Sequence, residues 1–419
     1  MPEALKHVVV LGAGFGGLTF CRAFRHPGAS VTLVDAQNHH LFQPLLYQVA
    51  AAGLSAPEIA EPARSILSRR KDVTVLMDTV TGFDLAARRV QCQAHTLAYD
   101  YLVVALGGVT SYFGHPQWAE FAPGLKSLED ALRIRRNVLL AFERAENETD
   151  PAVRRRLMTL VVVGGGPTGV ELAGAFAELA RHVLRRDFRR IDPGQARVVL
   201  IEAGPRLLPQ MPESLSASAL RQLERFCVEV RLNTKVTDIR QGAVELEGGQ
   251  VLAAENIIWA AGIAANPLGA QLGAERDRAG RVKVLPDLSL PGQREVFVIG
   301  DLAAVEDGRG KSVPGVSPAA MQMARHVAQI VQQELDSTVR GPATRPAFRY
   351  RDKGTMATIG RSAAVAKIGR LELTGFPAWL AWLFVHLLFL IGFDNKLTVL
   401  TQWAYSYVTY KRGARIIVQ

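Results

Sequence analysis

The chain has 419 residues, of which 48% are hydrophobic, and this predicts two or three globular domains with sizeable cores. Its three cysteines, Cys21, Cys92 and Cys227, are far apart, which excludes a disulfide framework or a cysteine metal site and favours a reducing compartment. The formal net charge of +10 leaves three interpretations open: nucleic-acid binding, an anionic membrane surface, or solubility alone.

The N-terminal region predicts a βαβ unit that binds a dinucleotide. Residues 1–7 carry none of the features of a secretory signal, so residence on the cytosolic side is expected. The apolar strand Val8–Leu11 then runs directly into a glycine loop, Gly12-Ala13-Gly14-Phe15-Gly16-Gly17. A predicted helix and the strand Val31–Asp35 follow.

Each part of this unit has a physical role towards a dinucleotide. Gly12 permits the tight turn, Gly14 permits close approach of a pyrophosphate, and Gly17 permits close packing of the helix on the strand. The N–H groups at the start of the helix attract phosphate, and Asp35 can accept hydrogen bonds from ribose hydroxyls. A tight turn without a ligand is the alternative interpretation.

The same pattern recurs in the middle of the chain. The strand Leu160–Val163 ends in Gly164-Gly165-Gly166-Pro167-Thr168-Gly169, in which the first, third and last residues take the three glycine roles. The next strand ends in Glu202, whose charge should repel a 2′-phosphate and therefore favours NADH over NADPH. Arg206 lies close behind and leaves this preference open.

Two such folds imply two dinucleotides, which indicates a flavin that a nicotinamide reduces. The first fold usually holds FAD in enzymes of this kind. Asp301, at the end of the strand Val296–Ile299, can contact the ribityl or pyrophosphate part of FAD or can cap a helix. Glu171, in the first turn after the second loop, either complements the helix dipole or lies at the nicotinamide–flavin contact.

These elements predict an α/β protein with two Rossmann-like dinucleotide-binding domains, the second inserted in the first. Asn137–Arg156 is interpreted as a helix and a linker, and Pro342–Arg345 as a boundary loop. The predicted domains are, in chain order, residues 1–150 for the first part of the FAD domain, 151–280 for NADH, 281–341 for the second FAD part, and 342–419 for a C-terminal membrane-associating region.

The C-terminal region has the composition of a membrane interface. Pro377–Phe393 is almost wholly apolar, although it is shorter than the roughly 20 residues that cross a bilayer. A turn is predicted at Gly392, Asp394 and Asn395, and Lys396–Tyr410 then combines Trp and Tyr with the Lys and Arg that follow. A buried hairpin and a dimer interface are the alternatives, so a homodimer stays open.

The chain resembles the type II NADH dehydrogenases, which are single-subunit NADH:quinone oxidoreductases of the respiratory chain that do not pump protons. The resemblance covers nearly the whole sequence. It rests on Phe42-Gln43-Pro44-Leu45-Leu46-Tyr47-Gln48-Val49-Ala50, Ser111–Gly114, Ala122–Lys126, Gly164–Glu171, Trp259–Ile263, Gly300-Asp301 and Gly354–Gly360. It implies that NADH passes hydride to FAD and that two electrons then reach a membrane quinone.

The resemblance also implies roles for individual residues. Glu171 matches the active-site glutamate of the family. The residues expected at FAD are Gly12, Ala13, Gly14, Phe15, Gly16, Gly17, Asp35, Ala36, Gln43, Val80, Ala105, Gly107, Asp301, Met321 and Gln322. Those expected at NADH are Gly164, Gly166, Pro167, Thr168, Gly169, Glu202, Ala261 and Gly262.

For the quinone, the resemblance points to Gln322, Lys353 and Gln48. The family motif A-Q-x-A-x-Q reads Met321-Gln322-Met323-Ala324-Arg325-His326 here, so its first and last residues are replaced. No metal site is expected. A quinone is dissolved in lipid, and the C-terminal region is therefore expected to hold the enzyme peripherally on the cytoplasmic face of the cell membrane, against its anionic surface.

Other functions remain as alternatives at this stage. A disulfide reductase or a sulfide:quinone oxidoreductase needs reactive cysteines, which the positions of Cys21, Cys92 and Cys227 do not supply. A reductase of a ferredoxin- or rubredoxin-type carrier and a non-catalytic membrane-bound redox sensor stay open. Nucleic-acid binding is not expected, because the basic series is interpreted as a solvated helix face; its members are Arg181, Arg185, Arg186, Arg189 and Arg190.

Overall fold

A computed structural model describes residues 5–308, 310–336, 345–390, 393–409 and 414–417. The chain divides into two compact units. The first unit comprises Met1–Leu41, Ala60–Val109 and Ile263–Asp352, and the second comprises Phe42–Ile59, Thr110–Gly262 and Lys353–Gln419. The second glycine loop thus lies in a stretch inserted between two segments of the first unit, as predicted. The predicted domain boundaries stay a prediction. They divide the chain according to the cofactor that each part is expected to bind, whereas these two units are divided according to compactness.

The described α-helices are, in chain order, α1 Phe15–Ala23, α2 Leu46–Ala50, α3 Ala56–Ile59, α4 Ala63–Ile66, α5 Leu128–Asn147, α6 Pro151–Leu157, α7 Pro167–Glu178, α8 Glu213–Arg225, α9 Ser317–Asp336, α10 Gly375–Phe389 and α11 Phe393–Thr409. Short 3₁₀ helices span Gln43–Leu45, Pro116–Glu120, Leu184–Arg186, Pro193–Gln195, Pro267–Leu272 and Gly300–Leu302. A π-helical turn spans Leu179–Val183.

The described strands are, in chain order, β1 Lys6–Leu11, β2 Ala29–Asp35, β3 His39–Leu41, β4 Ala60–Pro62, β5 Val73–Met77, β6 Val80–Asp84, β7 Arg89–Cys92, β8 Thr96–Ala98, β9 Tyr101–Val104, β10 Gly108–Thr110, β11 Thr159–Val163, β12 Arg197–Ile201, β13 Val228–Arg231, β14 Val236–Arg240, β15 Ala243–Leu246, β16 Val251–Ala253, β17 Asn256–Trp259, β18 Ile263–Ala265, β19 Val282–Lys283, β20 Ser289–Leu290, β21 Gln293–Val298, β22 Ala303–Ala304, β23 Thr355–Gly360, β24 Ala363–Ile368 and β25 Leu371–Thr374.

The main sheet of the first unit has the order β20-β21-β9-β1-β2-β5, in which all neighbours except β20 and β21 run parallel. Val8–Leu11 of β1 are fully buried, as expected for a central strand covered on both faces. Because the strands are parallel, the residues that follow β1, β2, β9 and β21 meet at one edge. Ligands of doubly wound sheets bind at this edge.

The second unit contains a parallel sheet of order β13-β12-β11-β17, which repeats the order β5-β2-β1-β9 of the first. Two antiparallel sheets accompany it, β14-β15-β16 and β23-β24-β25. Helix α7 packs against β23, and α10 packs against β24. The C-terminal strands therefore form part of the same unit as the second glycine loop.

The helix and linker predicted for Asn137–Arg156 correspond to α5 and α6, with Asp150 capping α6 through a 2.7 Å hydrogen bond from Ala152 N. The boundary predicted at Pro342–Arg345 lies, apart from Arg345, outside the described residues. The arginine series does not share one helix face, because its backbone changes from a π-helical turn to a 3₁₀ turn and then to irregular structure. That part of the prediction is wrong.

The turn predicted at Asp394 and Asn395 is also wrong, since α11 already begins at Phe393. Asp and Asn are favoured at helix starts as well as in turns, which explains the error. Gly392 lies outside the described residues. Among the helices that the structure describes, none is long and apolar enough to cross a bilayer.

Candidate active site

The first glycine loop has the geometry of a dinucleotide site. Gly12 has a φ of +97°, which glycine adopts most readily, and its N–H donates to the Val34 carbonyl at 2.7 Å. A Cβ at Gly17 would lie 1.9 Å from the Gly12 carbonyl oxygen, so only glycine lets α1 pack this closely. A Cβ at Gly14 would meet nothing within 4 Å. The open space at the start of α1 is where a pyrophosphate is expected.

Asp35 closes this loop from the end of β2. Its carboxylate accepts a hydrogen bond from Ala13 N at 2.5 Å and a second from Gln37 N at 2.7 Å. Burial raises the pKa of Asp35, and the two backbone N–H groups oppose that rise. A carboxylate held in this way beside the helix start fits the ribose of FAD, so the residues of the first loop fit this cofactor.

Other residues predicted at FAD lie at the same edge of the sheet. Ala36 directly follows Asp35, Ala105 and Gly107 follow β9, and Asp301 lies in the 3₁₀ turn after β21. Contact between the strand ends is close, because a Cβ at Gly12 would lie 2.5 Å from the Ala105 carbonyl oxygen. The sheet topology therefore brings this group together.

The last four residues predicted at FAD are more dispersed. Val80 begins β6 in the separate sheet β6-β7-β8. Met321 and Gln322 lie on α9, where the Gln322 amide exchanges two 3.0 Å hydrogen bonds with the backbone of Arg351. Gln43 belongs to the second unit and donates to the Lys126 carbonyl at 3.3 Å. The proposed contacts of these residues with FAD stay predictions.

The second glycine loop repeats the first. Gly164 has a φ of +115°, and its N–H donates to the Ile201 carbonyl at 2.7 Å. A Cβ at Gly169 would lie 1.8 Å from the Gly164 carbonyl oxygen, whereas a Cβ at Gly166 would meet nothing within 4 Å. Pro167 occupies the first position of α7, where its missing N–H costs no helical hydrogen bond.

Glu202 occupies the position in the second unit that Asp35 occupies in the first. Its carboxylate accepts hydrogen bonds from Gly165 N at 2.6 Å and from Gly204 N at 2.7 Å. Thr168 is the second residue of α7, and Ala261 and Gly262 follow β17 at the carboxyl edge of the sheet. These residues fit a second dinucleotide on the second unit.

Glu171 lies on α7 and is covered by the C-terminal sheet. Gly174, one helical turn further on, permits this, because a Cβ there would lie 1.6 Å from the Ile359 carbonyl oxygen of β23. Thr358 of the same strand places its N–H 3.4 Å from Glu171 Oε1. A glycine inside a helix is a sequence signal for close packing, and sequence reasoning had not used it here.

Burial raises the pKa of Glu171 to about 8, while the Thr358 N–H and the Trp382 indole lower it. The side chain is therefore mainly a neutral carboxylic acid at pH 7. A neutral acid can donate a proton, which a surface glutamate at this pH cannot do efficiently. Glu171 is partly exposed, and a role limited to complementing the helix dipole does not account for its raised pKa, because the positive end of a helix favours the charged carboxylate.

Glu171 faces a cavity of about 110 Å³ within the second unit. The cavity walls come from α2, α7, β23 and the two C-terminal helices. They are formed by Tyr47, Gln48, Ala51, Gly53, Glu171, Ala175, Glu178, Thr358, Gly360, Arg361, Trp379, Trp382, Leu383 and Trp403. The cavity thus combines a protonated acid with four aromatic side chains, those of Tyr47, Trp379, Trp382 and Trp403.

Hydrogen bonds and ring contacts order the aromatic wall. Trp403 Nε1 donates to Gln48 Oε1 at 2.9 Å, and Gln48 Nε2 donates to the Tyr47 hydroxyl at 2.8 Å. The Trp382 ring lies 5.7 Å from that of Trp403 and 6.3 Å from that of Tyr47, between centroids. Such a wall offers aromatic surface on which a flat ring can pack.

Of the three residues predicted at the quinone, Gln48 lines this cavity. Lys353 instead lies 5.5 Å from the centroid of the Phe389 ring, and Gln322 belongs to the first unit. From the sequence, Trp382 is expected only as part of the apolar segment Pro377–Phe393, and Trp403 only as part of the membrane-interface segment Lys396–Tyr410. Their place in the cavity depends on how the C-terminal helices fold back, which no local pattern reveals.

Comparison with known proteins agrees with this geometry. The family model of the pyridine nucleotide-disulphide oxidoreductases matches residues 6–324. A type II NADH:quinone oxidoreductase of Mycobacterium tuberculosis is 46% identical over 98% of this chain and 90% of its own length. One from Haemophilus influenzae is 31% identical over 88% and 89%. The structure of NDH2 from Plasmodium falciparum in complex with NADH superposes with a TM-score of 0.90 at 20% identity, over 99% of this chain and all of that one.

The chain belongs to the pyridine nucleotide-disulphide oxidoreductases and, within them, to the type II NADH:quinone oxidoreductases. This confirms the predicted family, the α/β fold class and the prediction of an oxidoreductase. The match spans both glycine loops, so the two folds belong to one enzyme.

Proposed function

We propose that this chain oxidises NADH and reduces a membrane quinone, and that the Glu171 cavity receives the quinone ring. Family membership confirms the predicted activity, FAD as cofactor and NADH as electron donor. The first glycine loop and Asp35 would hold FAD, and the bound flavin would supply the hydride and two-electron chemistry. The chain's own residues bind and orient the partners and supply the proton.

The observation that supports this proposal best is a neutral Glu171 in an aromatic cavity. Reduction of a quinone to a quinol takes up two electrons and two protons. Hydride brings both electrons and one proton, so a second proton must come from solvent. Glu171 is suited to hand a proton to a quinone oxygen and to be reprotonated from water, because its pKa of about 8 lies near working pH.

The Glu202 carboxylate supports NADH over NADPH as the donor. Its two oxygens are already turned towards the loop by Gly165 N and Gly204 N. This fixes a negative charge where the ribose 2′ position of the nucleotide is expected, and a 2′-phosphate would be repelled there. The strictness of the preference depends on Arg206, whose guanidinium donates to the Pro209 and Met211 carbonyls in this structure.

The C-terminal helices support peripheral attachment to the membrane. Helix α10 exposes a row of large apolar side chains, including Phe384 at 64% and Leu388 at 55% exposure, and α11 adds Leu397 and Leu400. Exposed apolar area of this kind is unusual on a soluble surface and binds the interface of a bilayer. Since the quinone is dissolved in lipid, we place the enzyme on the cytoplasmic face of the cell membrane.

Vesicle binding tests the membrane part of the proposal. Phe384→Glu with Leu388→Glu should abolish co-sedimentation with anionic vesicles, while the flavin content stays that of the wild type. If these substitutions leave vesicle binding intact but change a dimer into a monomer, α10 is a subunit interface instead.

Glu171→Gln tests the catalytic part. Loss of the proton donor should lower quinone reduction by about 100-fold, a typical contribution of general acid catalysis. NADH-driven reduction of ferricyanide, which takes electrons without protons, should be much less affected. In the wild type, quinone reduction should fall as pH rises through about 8, because Glu171 then loses its proton. The variant should lack this descending limb.

The matched control is Glu224→Gln, which changes an exposed carboxylate on α8 of the same unit. It should keep both the quinone activity and its pH profile. A wild-type profile for Glu171→Gln would refute the assigned role of this residue, and inactivity of the flavin-replete wild type towards every quinone would refute the function itself.

A further inference from the structure

The cavity wall contains a buried hydrogen-bond donor, the indole N–H of Trp382. This side chain is 1% exposed, and its Nε1 has no hydrogen-bond partner of good geometry among the residues that the structure describes. Buried N–H groups without a partner are rare in folded proteins, so this one requires an explanation.

The Trp382 ring is held in place from several sides. It stacks on His386 of the same helix at 4.2 Å between centroids and 26° between planes. Trp403 of α11 and Tyr47 of α2 contact it at 5.7 and 6.3 Å. The indole is therefore fixed in the cavity wall and cannot turn its N–H towards water without disrupting these contacts.

The Glu171 carboxyl lines the same cavity and is the acceptor to which this N–H can donate. The indole holds the pKa of Glu171 below the value that burial alone would give it. The second donor is the backbone N–H of Thr358, at 3.4 Å from Glu171 Oε1. Substitution of Trp382 can remove this side-chain N–H, whereas the Thr358 contact is made by the backbone.

Other titratable groups near Glu171 are Glu178 on α7, Arg361 after β23 and Tyr47 on α2, all of which line the cavity. His386 on α10 lies behind the Trp382 ring, and burial lowers its pKa to about 4. His386 is therefore neutral at neutral and higher pH and does not titrate together with Glu171.

We infer that Trp382 is a positioning residue for proton delivery: its N–H orients the Glu171 carboxyl towards the quinone and stabilises the carboxylate once the proton has left. The inference rests on the proposed function of the cavity. The proton passes from Glu171 to the quinone oxygen that gains the electron pair, and water reprotonates the carboxylate. Because Trp382 belongs to α10, the helix proposed to contact the membrane also controls the proton donor.

Trp382→Phe removes the N–H and keeps a ring of similar character. This substitution removes a donor that stabilises the carboxylate. The descending limb of the pH profile of quinone reduction should therefore move to higher pH by about one unit. Flavin content should be unchanged. In a Glu171→Gln background, Trp382→Phe should cause no further change in the pH profile.

Trp118→Phe is the matched control, because Trp118 Nε1 donates to Asp238 at 3.0 Å and the residue is not part of the cavity lining. Its profile should coincide with that of the wild type. The protonated carboxyl band of Glu171 in infrared difference spectra, identified by its loss in Glu171→Gln, should titrate one unit higher in Trp382→Phe. This measurement needs no turnover.

If Trp382→Phe disturbs folding, benzothienylalanine at position 382 replaces the N–H by sulfur with nearly the same shape and should give the same shift. Superimposable pH profiles and infrared titrations for the wild type and either variant would overturn the inference. Failure of the wild type to reduce quinones would instead refute the proposed function, which keeps the two outcomes distinct.

Discussion

The two glycine loops share their backbone hydrogen bonds but differ in the residue after the first glycine. In the first unit Ala13 donates to Asp35 at 2.5 Å, and in the second Gly165 donates to Glu202 at 2.6 Å. A Cβ at Gly165 would lie 2.9 Å from Glu202 Cγ. The acid that is longer by one methylene is therefore paired with the smaller loop residue, and the same hydrogen bond results.

The folds differ again at the second residue after the last glycine. This is Thr19 on α1 in the first unit and Glu171 on α7 in the second. Helix α1 packs against α9, whereas α7 packs against β23, which covers the acid. The loop geometry that fits a nucleotide is therefore the same in both units, whereas the second unit alone has a strand packed over the helix at this position.

The largest effects are expected for alanine substitutions at Gly17 and Gly169, which should separate FAD binding by the first loop from NADH binding by the second. Gly17→Ala and Gly169→Ala each place a Cβ within 2 Å of a backbone oxygen, at 1.9 and 1.8 Å, so the helix must move. Gly17→Ala should give protein without flavin. Gly169→Ala should retain flavin but slow its reduction by NADH by about 100-fold, from a packing cost of about 3 kcal/mol.

Flavin absorbance per chain and stopped-flow reduction by NADH measure these effects. Dithionite, which needs no nucleotide site, should still reduce the flavin of Gly169→Ala. Equal loss of flavin from both variants would show that the two loops do not have separate tasks.

An intermediate effect is expected at the open glycines. Gly14 and Gly166 have φ values of −70° and −73°, which alanine adopts without strain, and a Cβ there meets no protein atom within 4 Å. Alanine at either position should therefore leave the thermal stability of the ligand-free protein within about 1 kcal/mol of the wild type. It should weaken FAD binding at position 14 and NADH binding at position 166 by about 10-fold, through contact with the pyrophosphate.

Calorimetric titration with each nucleotide checks this, with thermal unfolding of the ligand-free protein as the control. A stability loss similar to that of Gly17→Ala would mean that the space above these glycines is not kept for a ligand.

The smallest expected effect concerns the size pairing at the ribose acid. Gly165→Ala should raise the KM for NADH by about 10-fold, because the methyl group meets the side chains of Leu207 and Glu202 at 2.7 and 2.9 Å. Adding Glu202→Asp relieves the contact with residue 202 but not that with Leu207, so it should recover part of that loss, with a coupling energy of about 1 kcal/mol between positions 165 and 202. Steady-state kinetics of the wild type, the two single variants and the double variant give this double-mutant cycle. Strictly additive changes in the KM for NADH would contradict the size pairing of residues 165 and 202.

Much of the fold and part of the site were predictable from local sequence. Both loops, Asp35, Glu202 and the inserted second fold follow from strand, glycine and acid patterns that act over a few tens of residues. The family resemblance pointed to Glu171, and the structure accounts for it by burial. The turn at Asp394 and Asn395 was predicted wrongly, because both residue types suit a helix start equally well.

The sequence by itself determined the two glycine loops and the acids that close them, because their geometry depends on glycine conformations and on the period of strands and helices. The tertiary structure alone decided the acidity of Glu171. Because Gly174 has no side chain, β23 packs closely on α7 and over the acid. The fold also brings Trp382 of α10 to the same cavity. Burial and such long-range contacts arise from packing between distant segments, and no local pattern encodes them.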